Sequence, residues 1–350
     1  MNASVTPRLL APAPLVVDGQ VRLGQFSDSL RQINARDFRL QTPFGKAAGR
    51  LPDWLGFKEF QFFGGMSDCL LFGCALAHLR HTGMAFVYVV DMQTGEMRTR
   101  TVRSPLGLGL TMASNPVDGM SRFRLPGVDI RMGYRGHPRE KSLYVKIGQW
   151  LEIDASMPEE GFEPMSVCTR TAYTGWAYTN KVAGLPLNGQ LVLDGSAMDL
   201  RAIGAMGNND FTCGHLRRET FWNWACLSGQ GQGSDGRTHR IGLNLSCGVN
   251  ETSYSENCFW VDGQRHRSGL TRFEFNRRDV LAPWRVCSDD GAVDLCFTAV
   301  GVHKEQLNAG LVASNFRQVF GRFDGLLRHP GGDIRIAGVP GFVEDQYVKW

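Results

Sequence analysis

Alternation decides the fold class of this chain. Segment after segment places apolar and polar residues in turn, and each stops at a glycine or at an Asx–Gly pair. Residues 84–91 (MAFVYVVD) are β-branched and aromatic, Thr94-Gly95 supplies a turn, and residues 96–102 return as an exposed strand. A period of two is the strand period, because successive side chains leave opposite faces of a pleated backbone. Glycine points the same way. There are 42 among 350 residues, against a usual share of about 7%. Helix interiors tolerate glycine poorly and turns demand it, so a helical bundle is excluded.

The pattern predicts a long antiparallel meander. Strands are expected over 57–63, 70–79, 121–132 and 142–153 in the first half. In the second half they are expected over 219–227, 240–248, 257–262, 284–288, 293–300, 333–339 and 342–350. Asp289-Asp290-Gly291 reads as a hairpin turn, and 316–327 as a short helix or another strand. A weak internal repeat is visible. Glu59-Phe60-Gln61-Phe62 precedes an apolar run and a strand ending at Asp91. Phe221-Trp222-Asn223-Trp224 precedes IGLNLSCG and a strand ending at Asp262. The chain is therefore expected to be all-β with few short helices. It divides into a loosely held lead-in (1–25) and two tandem antiparallel β-barrels over 26–180 and 181–350, with β-sandwiches as the competing architecture.

Charge and cysteine usage narrow the function classes. The net charge is +4 and the basic residues gather in no run longer than a pair, so a nucleic-acid partner is not expected. Nine cysteines, an odd number without a C-x-x-C, give neither a zinc ribbon nor a redox pair. No metal and no cofactor are expected. Residues 1–14 hold three prolines and no long apolar core, so a signal peptide is not supported. No stretch approaches the ~20 apolar residues of a membrane span. The expected setting is cytoplasmic. Familiar catalytic signatures are missing: no H-E-x-x-H, no G-x-x-x-x-G-K-[ST] and no G-x-S-x-G.

The richest segment is 217–262. Trp222 and Trp224 share one face of their strand. On the next strand Gly242, Asn244, Ser246 and Gly248 form a small polar stripe opposite Ile241, Leu243 and Leu245. On the third, Glu256, Cys258 and Trp260 alternate with Asn257, Phe259 and Val261. A glycine-bearing polar stripe beside paired tryptophans suits a cavity wall, because glycine lets a ligand approach the backbone. Trp222, Trp224, Asn244, Asn250, Asn257 and Trp260 are the candidate ligand-binding residues. Glu251 and Glu256 are the candidate general acids, since a carboxylic acid in an apolar cavity can protonate an alkene or a carbonyl. These asparagines and glutamates also suit turn capping, and that reading stays open. The first half lacks such an acid-bearing pattern and is expected to be mainly structural.

RRETFWNWA, GLNLSCGVNE, ENCFWVDG and SNFRQVFGRFDG…QYVKW resemble an uncharacterised bacterial family, domain of unknown function 2804. The similarity extends from about residue 8 to Trp350, and the family carries no established activity to transfer. More distantly, the layout resembles the two-barrel, lipocalin-like superfamily of carotenoid 1,2-hydratases (hydroxyneurosporene synthases) and several cyclases. That resemblance implies tandem lipocalin-like barrels and a cavity acid. In those hydratases a histidine and a tryptophan lie on one strand, with a tyrosine and an aspartate on its neighbour. Trp222 and Trp224 match the first strand by position, and Glu251 matches the aspartate. The sequence departs at the histidine, which is Trp222, and at the tyrosine. The expected partner is a small apolar or amphipathic molecule, lipid- or terpenoid-like, with oligomeric state open. A cofactor-independent hydratase, isomerase or cyclase and a structural module with filled barrels are the alternatives.

Overall fold

Glu219–Gly233 (ETFWNWACLSGQGQG) shows how alternation becomes architecture. Ala225 and Leu227 point to one side, into a core shared with Leu243, Trp284, Leu295 and Phe323. Trp224 and Cys226 point to the other, into a core shared with Phe62, Phe72 and Phe342. Both faces of the middle of this strand, 223–228, are therefore dry, and each large side chain so buried contributes about 1.5–3 kcal/mol. In the computed structural model of the chain, which describes residues 14–350, the same logic runs throughout. The helical elements are the 3-10 turn Ala35–Asp37 and the α-helix Arg50–Gly56. Among the described residues the ladders are all antiparallel, and the chain is all-β.

Strands as far as His215 form an eight-stranded and a seven-stranded sheet, besides a small two-stranded hairpin of Val16–Val17 and Gln20–Val21. These face each other across a core in which Val87 and Leu71 of one meet Phe123, Ile130 and Leu143 of the other. Strands from Glu219 onward form one nine-stranded sheet. It curls until its early and late strands share a single core and Thr271–Glu274 comes against Thr238–Cys247. In both halves the first long strand pairs with the last. Phe57–Met66 lies beside Met206–His215, and Glu219–Gly233 lies beside Gly332–Lys349.

Several expectations are revised. Trp176–Pro186 straddles the expected 180/181 division and pairs on both edges within the first half, so the sheets change between His215 and Glu219. The part of the 1–25 lead-in within 1–13 lies outside the described residues. From 14 onward it is tied down: Leu15 and Val16 are buried, and Gly24–Gln25 pairs with Met165–Arg170. Residues 316–327 belong to the strand Ala313–His329, and the two strands expected over 333–339 and 342–350 are one continuous strand, Gly332–Lys349. The strands Met165–Arg170, Trp176–Pro186 and Met206–His215 went unpredicted. No helix among the described residues is long and apolar enough to cross a membrane.

The halves meet through small residues. A Cβ on Gly242 would sit 1.9 Å from the Ala183 carbonyl oxygen, and one on Gly184 (φ +87°) 2.6 Å from the Ile241 oxygen. The Gly184 N–H donates to Ser228 Oγ across the same seam at 3.0 Å. The glycine in the polar stripe therefore admits the other half's backbone, where a ligand was expected. Gly248 (φ +97°) makes a turn.

Candidate functional site

A cavity of about 260 Å³ lies between the eight-stranded and the nine-stranded sheet. Phe60, Phe62, Met84 and Phe86 wall it from the first half, and Trp222, Trp224 and Phe316 from the second. The exposed end carries Lys349 and the Arg103–Glu305 ion pair, and Lys58 lines the wall as a buried residue. The buried end carries Lys181, Asp210, Ser246, Asn250, Glu256 and Glu344. The second half's own interior holds packed side chains. The cavity thus belongs to the seam between the halves and to neither half alone.

Lys181 projects from Trp176–Pro186 and Asp210 from its neighbour Met206–His215. Lys181 Nζ lies 3.3 Å from Asp210 Oδ2, 2.9 Å from Glu256 Oε2 and 4.3 Å from the centre of the Trp224 ring. Burial opposes the lysine's charge, but the pull of Asp210 and Glu256 outweighs it and holds its pKa above the usual value. Burial raises the Asp210 carboxyl, with Lys181 opposing and Glu256 reinforcing the rise. Ser246 Oγ donates to Glu256 Oε1, and Thr212 Oγ1 donates to Asp210 Oδ1 at 2.7 Å.

Glu344 stands apart. It comes from Gly332–Lys349 and accepts from Trp222 Nε1 at 2.9 Å and from Gln318 Nε2 at 2.8 Å. Both donors are neutral, and it makes no ion pair with the described residues. Burial pushes its carboxyl up to about 7, against the opposing Trp222 hydrogen bond and the more distant Lys181 charge. It therefore exchanges a proton near neutral pH, the property a general acid needs.

The candidates from the sequence divide. Trp222, Trp224, Asn250 and Glu256 line the cavity. Asn244 and Asn257 act from behind. Asn244 accepts from Trp224 Nε1 at 2.7 Å and donates to the Glu256 carbonyl at 3.1 Å, while Asn257 Oδ1 accepts from the Ser246 N–H at 2.7 Å. They fix the segment that carries Glu256. Trp260 is buried elsewhere, stacked on Phe162 and donating to the Glu163 carbonyl. Glu251 sits exposed on a turn, accepts from the Gly248 N–H at 2.6 Å and does not line the cavity. Lys181, Asp210 and Glu344 were missed. Lys181 and Asp210 belong in the structure to the first half, although the expected division at 180/181 put both in the second. A lysine and an aspartate inside unbroken runs of small residues were the available signal. Among the described residues no group of three or more His, Cys, Asp or Glu is placed to hold a metal.

The family described as Domain of unknown function (DUF2804) matches residues 11–350. No curated protein matches the chain by sequence. A crystal structure of CghA with Sch210972 superposes with a TM-score of 0.55 at 9% identity, covering 84% of this chain and 88% of that one. Kievitone hydratase from Nectria haematococca gives 0.52 at 9% identity, with 82% and 88% covered. Both similarities concern the fold.

Proposed function

We propose that this chain, which belongs to the DUF2804 family, binds an apolar or amphipathic small molecule, lipid- or terpenoid-like, between its two halves. The observation that carries this reading is the inter-sheet cavity itself, with aromatic and aliphatic walls and a buried polar end. Ligand sites take this form: apolar lining gives affinity and a few fixed polar groups give orientation. Nine free cysteines suit a reducing, cytoplasmic setting. The test is native mass spectrometry of protein purified from its own host, together with uptake of a lipophilic fluorophore read through Trp222 and Trp224. Neither a co-purifying molecule nor fluorophore uptake, across several growth conditions, would sink the reading.

Glu344 favours a second reading, a cofactor-independent hydratase, isomerase or cyclase. Its carboxyl would pass a proton to an alkene carbon of the bound molecule, and the carboxylate left behind would take one from the attacking water or from a neighbouring carbon. Glu256 is already committed to Lys181 and Ser246, so Glu344 is the better-placed acid. Glu344→Gln should abolish turnover of an identified substrate while binding persists. Undiminished turnover would remove the acid role.

A further inference from the structure

The cavity's positive groups are all engaged. Lys181 has two carboxylates and an indole face for its three N–H bonds. Lys58 Nζ donates to the Leu55 and Leu79 carbonyls at 2.6 and 3.0 Å. Arg103 pairs with Glu305, and Lys349 with Glu219 at 3.3 Å. The indole N–H groups are engaged too, Trp222 with Glu344 and Trp224 with Asn244. Lys58 excepted, each of these cations already faces a carboxylate, so beside Glu344 at the buried end an incoming anion would find no free cation.

The acceptors are in the opposite position. Glu344 is a buried carboxylate that lines the cavity with only neutral donors on it. Gln346, two residues further on the same face of the same strand, donates from Nε2 to Ser314 at 3.3 Å and keeps a buried Oε1 with no donor. Asn250 donates to Thr179 at 3.2 Å and likewise keeps an unsupplied Oδ1. Both side chains are more than nine-tenths buried. Buried acceptors left without a donor are costly, and a ligand that brings donors removes that cost.

We propose that the ligand of this cavity carries a protonated amine on its apolar body, with the ammonium seated against Glu344 and Gln346. This rests on the cavity being a ligand site, as proposed above. It names the class of ligand: a long-chain or polycyclic amine, in preference to a fatty acid, a phosphate ester or a neutral alcohol. The ammonium supplies three donors and the one positive charge that Glu344 lacks. A carboxylate or phosphate would meet Glu344, Glu256 and Asp210 with like charge and no free donor.

Decylammonium, decanoate and decanol share one chain and differ only at the head, so they separate the possibilities. Their affinities are to be measured at pH 7.5 by calorimetry and by displacement of a lipophilic fluorophore. Decylammonium is expected to bind at least tenfold more tightly than either of the others. Glu344→Gln should erase that advantage and leave decanol unchanged. Equal or tighter binding of decanoate, or decanol matching the amine, overturns the assignment. If none of the three binds and the fluorophore is not taken up, the cavity reading itself fails and this inference with it. Gln346→Met is a second, uncharged variant. It should weaken the ammonium alone by threefold or more, and an equal effect on all three heads counts against the seat described here.

Discussion

Lys181 of the first half reaches Glu256 of the second across the cavity's buried end, Nζ to Oε2 at 2.9 Å, with 8% and 1% of their side chains exposed. The halves are thus joined by an ion pair as well as by packing. Removing one partner of a buried pair strands the other's charge, at a cost of about 3–5 kcal/mol. Lys181→Met is expected to lower stability by that amount in urea denaturation. Glu256→Gln in the Lys181→Met background should add much less than it does alone, because the two share one interaction. Strictly additive losses would deny the coupling.

Glu344 predicts a pH dependence. Its folded pKa of about 7 exceeds the ordinary value of 4.5, so the folded chain binds the extra proton between them. Its contribution is fully present below pH 4.5 and is lost as pH rises through 7. The size is about 3 kcal/mol at the customary conversion. Relative to Glu344→Gln, the native chain should lose stability from pH 4.5 to 7.5. Parallel stability curves for the two proteins would refute the raised pKa.

Gly242→Ala is expected to destabilise by about 1–3 kcal/mol, at the upper end of that range for overpacking. The obstacle is the Ala183 backbone, 1.9 Å from the new methyl group, and backbone cannot rotate aside. Thermal unfolding checks the loss, and fluorophore uptake should fall with it because the sheets that wall the cavity are pushed apart. An unchanged melting temperature would mean the seam yields freely.

Glu251→Gln should change little. The side chain is exposed and its bond to the Gly248 N–H needs only an acceptor oxygen, which glutamine retains. Stability within about 0.5 kcal/mol of the native chain and unaltered ligand uptake are expected. A large loss of uptake in this variant would return Glu251 to the site.

The all-β class was legible because alternation and turn residues are local. Asp91 ends its strand as read, the strand expected to reach Asp262 stops one residue earlier at Val261, and the faces of 241–246 are assigned correctly. What escaped was long-range. Trp176–Pro186 and Met206–His215 are buried on both faces, so alternation is absent and a period of two does not mark them. Those two strands bring Lys181 and Asp210 to the site. Glu344 escaped for a related reason. Its partners Trp222 and Gln318 stand 122 and 26 residues away, and no local spacing reports such a pairing. The tryptophan strand was legible as part of a cavity wall because its polar neighbours are only one hairpin distant.

The dovetail of Gly242 and Gly184 has an evolutionary consequence. A binding site inside a single barrel can drift while its twin preserves the fold. Here each half supplies part of the wall, and two backbones touch where any methyl group would collide. Neither half can be shuffled onto another partner and keep the cavity. The chain should therefore be inherited as one indivisible unit, with substitutions at 181, 210, 242, 256 and 344 accepted only in concert.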